Sequence, residues 1–186
     1  MHDFKAPIRD IQFTLYEVLG AEKHYQRIGA GEANRELIDA IITEGGRFAE
    51  EVLAPLNQIG DKVGCQFDNG VVTTPPGFKT AYKQYIEGGW PSLAGEAAYG
   101  GQGLPESLAT VVNEMVSTAN WSWGMYPGLS HGAKLTLAEF GTEEQKQTYL
   151  SKLTSGEWTG TMCLTESHCG TDLGLLKTKA ELQADG

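Results

Sequence analysis

Cysteine is scarce in this sequence, basic charge is outnumbered and long apolar runs are missing, and each shortage argues against a class of protein. Three cysteines, Cys65, Cys163 and Cys169, are an odd number that cannot pair completely, which speaks against a disulfide-stapled secreted scaffold. A reducing, cytoplasmic setting is the expectation. The 14 Lys and Arg face 24 Asp and Glu, and the resulting formal charge of −10 opposes a nucleic-acid partner. No basic cluster offsets it. No run of about 18 apolar residues occurs. The opening Met1 to Pro7 has no positive region leading into an apolar one, so neither a membrane span nor a secretory leader is predicted.

What is present is ample apolar material, 40% of 186 residues, arranged mostly at helical spacing. Ile8, Ile11, Leu15, Val18 and Leu19 predict a first helix ending near Gly20. Leu37, Ile38, Ile41, Ile42, Phe48, Ala49, Val52, Leu53 and Leu56 predict a long amphipathic helix over 32–58, loosened at Gly45-Gly46. Asn69-Gly70 suits a type I′ turn between Cys65–Asp68 and Val71–Thr73, which predicts a small hairpin. Pro75-Pro76 sets up a helix through Phe78, Tyr82 and Ile86 that stops at Gly88-Gly89. Residues 94–104 hold four glycines and read as a loop. Two further helices follow, one from Pro105 through Leu108, Val112, Met115 and Ala119, the other through Leu129, Ala133, Leu137 and Phe140. Thr142 with Gln145 forms a capping-box pair for a last helix through Leu153.

After Gly156 the character changes. Trp158–Thr165 is rich in β-branched and aromatic residues without helical period and predicts a strand, and Leu176–Leu182 alternates like a second. Asp185-Gly186 is a turn pair that leads toward a hairpin partner. The expected organisation is a mainly α unit over 1–157, of which 1–31 is an extension, then the start of an incomplete β-domain over 158–186.

The chemistry concentrates in Met162-Cys163-Leu164-Thr165-Glu166-Ser167-His168-Cys169-Gly170-Thr171-Asp172. A strand end offers unpaired N–H groups, Thr165 adds a hydroxyl, and Gly170-Thr171 lets the backbone close on a phosphate. Taken alone, such a segment is more often a strand-to-loop exit with no ligand. His168-Cys169 invites a metal or nucleophile reading, but the spacing is wrong for a zinc knuckle and no second Cys-His group follows. Asp172 reads as a turn or cap residue. Trp121, Trp123, Met125 and Tyr126 are expected as core packing rather than pocket lining, and His131 as a hydrogen-bonded structural histidine.

The segment resembles the acyl-CoA dehydrogenase signature, in which a small residue, an aliphatic residue, Ser or Thr and Glu precede a Gly-Ser/Thr-Asp triplet. Cys163-Leu164-Thr165-Glu166 and Gly170-Thr171-Asp172 match in type and spacing, while Cys169 and Leu175 stand where smaller residues are usual. Ala98–Leu104 is similar to the family's Tyr-Gly-Gly-x-Gly loop, and Gly141–Glu157 to the helix ahead of its β-domain. The opening Phe4–Asp10 and Gly170–Gly174 resemble a longer bacterial branch. The resemblance implies an FAD enzyme that removes an acyl-CoA α-proton with a carboxylate while the β-hydride passes to the flavin. It implies an electron-transfer flavoprotein as acceptor and a homodimer or homotetramer. Met162, Cys163, Leu164 and Thr165 would face the flavin ring. Gly170 and Thr171 would lie by the pyrophosphate, Thr171 also touching substrate. No catalytic residue is expected in this chain, because the family's base comes from a later helical domain; Glu166 is read as support for the cofactor. The competing expectation is a non-catalytic helical interaction module that keeps this fold.

Overall fold

The computed structural model describes residues 4–184. Helix α1 (Ile8–Phe13) runs into a wider π turn (Thr14–Val18) whose closing N–H, that of Leu19, reaches the Thr14 carbonyl at 2.9 Å. Gly20 then takes a left-handed φ of 58° and starts α2 (Ala21–Arg27). This first segment is fastened to the next helix by polar contacts. Tyr16 donates to Asp39 at 2.7 Å, and Arg35 stacks 3.9 Å from the Tyr16 ring centre.

The long helix predicted over 32–58 is one rod in three parts: α3 (Arg35–Phe48), a π turn (Ala49–Leu53) and α4 (Ala54–Val63). Asn34 caps it by accepting from the Leu37 N–H at 3.0 Å. The expected loosening at Gly45-Gly46 is absent, because both glycines are buried contact points. A Cβ on Gly45 would stand 3.1 Å from the Met115 methyl, and one on Gly46 2.8 Å from Ile8. The irregularity comes later. Pro55 has no N–H for the Glu51 carbonyl, so the ladder widens just ahead of it. The Leu53 carbonyl also accepts from the buried Asn120 amide at 3.2 Å.

Strands β1 (Gln66–Asp68) and β2 (Val71–Thr73) pair antiparallel with Phe67 opposite Val72, and Asn69 and Gly70 have φ of 46° and 81°, as a type I′ turn requires. Helix α5 (Phe78–Glu87) follows, then a Gly-rich corner over 90–104, then α6 (Glu106–Ala119), α7 (Trp121–Phe140) and α8 (Glu143–Ser155). The core lies where α3 packs on α6 and α4 on α7, with Ile38, Ile42, Leu53, Leu108, Val112 and Trp123 fully enclosed. The capping box of α8 is complete: Thr142 Oγ1 accepts from the Gln145 N–H, and the Gln145 side chain accepts from the Thr142 N–H. Thr142→Ala should therefore cost about 1 kcal/mol, read as a lower urea midpoint with an unchanged slope.

Neither run predicted as a strand after Gly156 forms a ladder among the described residues. The β-type pairing there is a single bridge between Glu166 and Cys169. A strand needs a partner edge, and 158–165 and 176–182 do not provide one for each other. The Asp185-Gly186 turn pair lies outside the described residues. No helix among them is long and apolar enough to cross a membrane.

Candidate functional site

The chain leaves α8 at Gly156 and crosses the middle of α7. Gly160 makes this passage possible: its N–H donates to Ser130 Oγ at 3.0 Å, and a Cβ there would meet the Ala133 methyl, Ser130 and the Leu129 carbonyl. Beyond this crossing, Met162, Cys163, Leu164 and Thr165 are exposed, and none of their N–H or C=O groups takes part in a backbone hydrogen bond among the described residues. They form an open rim of donors and acceptors.

At the end of the rim the chain closes on itself. Glu166 and Cys169 exchange backbone hydrogen bonds of 3.0 and 3.2 Å across Ser167-His168, and Cys169 is buried in the turn. Gly170 follows with open space beside it, since a Cβ there would meet nothing nearer than the Thr165 methyl at 3.9 Å. Thr165 and Gly170, five positions apart in sequence, are thus neighbours. Thr171 is exposed next to them. Asp172 acts as a cap, accepting from the Gly174 N–H at 3.1 Å.

Glu166 holds this arrangement together. Its carboxylate accepts from the Thr178 hydroxyl, from the Thr178 N–H at 2.8 Å and from the Lys177 N–H at 3.1 Å. The Thr178 hydroxyl, then the Thr178 and Lys177 N–H groups, hold its pKa below the ordinary carboxylate range. The clamp is therefore complete above that range and lost only as the pH falls through the depressed folded-state value. Both oxygens are engaged by these donors, and the lowered pKa makes the carboxylate a weaker base than an ordinary glutamate. Sequence reading placed Glu166 as support but missed its partners, because Lys177-Thr178 looked like strand residues whose N–H groups belonged to a ladder.

His168 and Cys169 also come closer to Glu166 than their spacing suggested, with one ligand atom from each of the three residues lying within 4.8 Å of the others. Their existing partners compete with a metal, since Glu166 serves Lys177 and Thr178 while His168 Nε2 sits 3.0 Å from the Leu175 carbonyl.

Helix α7 divides the aromatic cluster that the sequence treated as one. Trp123 is fully buried, and its indole N–H donates to the Phe78 carbonyl at 3.2 Å. Trp121 and Met125 face outward with Gly128 and Gly132, where a Cβ on either glycine would meet nothing within 4 Å, while the Tyr126 ring stands edge-on to Phe78 with centres 6.2 Å apart. Packing on the core thus accounts for Trp123 and Tyr126, and not for Trp121 and Met125. The inner side of α7 lines a cavity of about 120 Å³ against α5, α6, α8 and the Gly-rich corner. His131 belongs to its wall, with Nε2 3.5 Å from the Glu106 carboxylate. Lys134 donates from the same wall to the Pro91 carbonyl at 2.6 Å. Burial lowers its pKa, and the nearby Glu106 charge works in the opposite direction.

Comparison with known proteins assigns the scaffold. The family described as acyl-CoA dehydrogenase, N-terminal domain, matches residues 36–157. A 3-methylmercaptopropionyl-CoA dehydrogenase of Ruegeria pomeroyi is 40% identical over 98% of this chain and 31% of its own length. The broad-specificity linear acyl-CoA dehydrogenase FadE5 of Mycobacterium tuberculosis is 34% identical over 100% of this chain and 30% of its own. This chain thus spans a little under one third of these curated relatives. Among solved structures, a chain from work on the electron transferring flavoprotein of Acidaminococcus fermentans superposes with a TM-score of 0.65 at 28% identity, covering 81% of this chain and 36% of that one. The long rod from its second residue on, the hairpin, the Gly-rich corner and the capped helix α8 fall inside the matched span, and the chain belongs to the acyl-CoA dehydrogenase family, whose N-terminal domain it carries.

Proposed function

We propose that this chain supplies the helical wall and part of the flavin rim of an enzyme that oxidises acyl-CoA thioesters to trans-2-enoyl-CoA. Residues 1–157 form the helical unit and 158–186 open the β-domain. The observation that carries this reading is the sequence of features from Met162 to Thr171: an exposed run of unengaged backbone donors, a closed turn, then an open glycine. Bound FAD would accept the substrate β-hydride there. The polar edge of an isoalloxazine ring fits the N–H groups and hydroxyl of Met162, Cys163, Leu164 and Thr165, whose hydrogen bonds tune its electron affinity. A pyrophosphate fits beside Gly170 and Thr171, where a side chain would block the approach.

Thr171, exposed next to Gly170, would also touch the acyl thioester. The base that takes the α-proton is expected from a part of the enzyme outside this chain, consistent with the full engagement of Glu166. A cytoplasmic homodimer or homotetramer that passes electrons to an electron-transfer flavoprotein completes the proposal.

The test is purification with added FAD, followed by release and quantification of bound flavin. Gly170→Val should weaken flavin retention about tenfold or more by filling the phosphate approach. Unweakened flavin in Gly170→Val, placed in the whole enzyme, would sink the reading; this stretch alone, with only part of the rim, should hold FAD weakly or not at all.

A further inference from the structure

The turn at Ser167-His168 is tied to the chain that follows it by two side chains that reach the same short stretch. Glu166 takes the N–H groups of Lys177 and Thr178, 11 and 12 positions ahead. His168 Nε2 lies 3.0 Å from the Leu175 carbonyl and 3.3 Å from the Glu166 carboxylate. Both neighbours are acceptors, so Nε2 carries the hydrogen and imidazole joins the two segments. Asp172 caps Gly174 inside the loop thus closed. The loop contains Gly170 and Thr171, and no ladder holds it among the described residues.

The geometry points to Glu166 and His168 as positioning residues for the cofactor: they fix residues 170–171 relative to the Met162–Thr165 rim so that both ends of one flavin can be held at once. This rests on the flavin reading above. Closing a flexible loop costs conformational entropy, and a loop closed in advance spares the ligand that cost. Glu166 supplies the charge-assisted bonds at the base of the loop, where lost partners would leave two backbone N–H groups without their acceptor. His168 adds the second tie, and an amide nitrogen at the end of a glutamine can stand in for its Nε2.

The experiment measures FAD dissociation constants and the visible flavin spectrum on the purified flavin-loaded protein. Glu166→Ala should weaken FAD by about tenfold and His168→Ala by about fivefold, each with a shifted flavin band, while His168→Gln should recover most of the loss. Far-UV melting of each apoprotein separates a failure to fold from a failure to bind, and the His168 pair remains decisive if Glu166→Ala unfolds. Parental FAD affinity in both alanine variants would overturn the inference. If Gly170→Val loses flavin while these variants keep it, the clamp alone is wrong; if none of them changes flavin binding, the flavin reading falls with it. Tight Zn²⁺ binding abolished by Cys169→Ser would also overturn it, by assigning the cluster to a metal.

Discussion

Gly101→Ala is expected to destabilise the protein by about 3 kcal/mol or more, which for a chain of this size lowers the melting temperature by roughly 6–12 °C. The Gly-rich corner brings two backbone stretches face to face. Gly101 donates to the Glu96 carbonyl, Gln102 to Ser92, Gly103 to Gly95 and Leu104 to Leu93, all at 2.9–3.0 Å. A Cβ on Gly101 would lie 2.5 Å from the Gly95 Cα and closer still to its carbonyl group. Backbone cannot swing aside as the end of a flexible side chain can, so the substitution must separate the stretches and break these bonds. Gly100→Ala is the matched control. Gly100 has a φ of 83°, but a methyl group there would meet nothing within 4 Å, so it should lose only the left-handed strain, about 1–2 kcal/mol. Thermal unfolding followed by circular dichroism ranks the pair; equal effects would refute the backbone-contact account.

Trp123→Ala should cost about 3–5 kcal/mol. The side chain is fully enclosed, its ring centre lies 5.4 Å from that of Tyr85 and 6.0 Å from that of Phe48, and its N–H serves the Phe78 carbonyl. The cavity and the orphaned carbonyl act together. Trp123→Phe preserves most of the ring volume but not the donor, and should lose about 1–3 kcal/mol. Trp121→Ala, two positions earlier and 66% exposed, should change stability by about 0.5 kcal/mol or less. Urea titrations of the three variants check the order, and a Trp121 effect as large as that of Trp123 would show that the outer face of α7 is not free of packing.

Helical spacing made most of the scaffold legible, because Ile38, Ile42, Leu108 and Val112 must meet a core at intervals that an α-helix alone provides. Local turn chemistry did the same for Asn69-Gly70 and for the Thr142–Gln145 cap. Helix α2 went unread, since its buried Ala21 and Tyr25 are too few to establish a period. The stretch after Gly156 shows a different limit. Its residues have strand composition, but pairing is a property of two chains' edges, and composition reports only one of them. At the candidate site, Gly170, Thr171 and the Asp172 cap were visible as residue types suited to a turn. The reach of Glu166 to Thr178 was not, because an 11- or 12-residue side-chain contact leaves no periodic trace.

The π turn at Ala49–Leu53 gives the long rod a gear change. A π turn holds about one residue more than an α turn, and each residue rotates the helix by about 100°. The half before it packs on α6 and the half after it on α7, so one continuous helix presents correctly phased faces to two partners that are not in line. That extra residue behaves like a single-codon insertion locked in place by Pro55 and the Asn120 amide. Removing one residue here would restore ordinary helix and turn the whole Ala54–Val63 segment away from its seat, so in this stretch the number of residues constrains the protein more than their identity does.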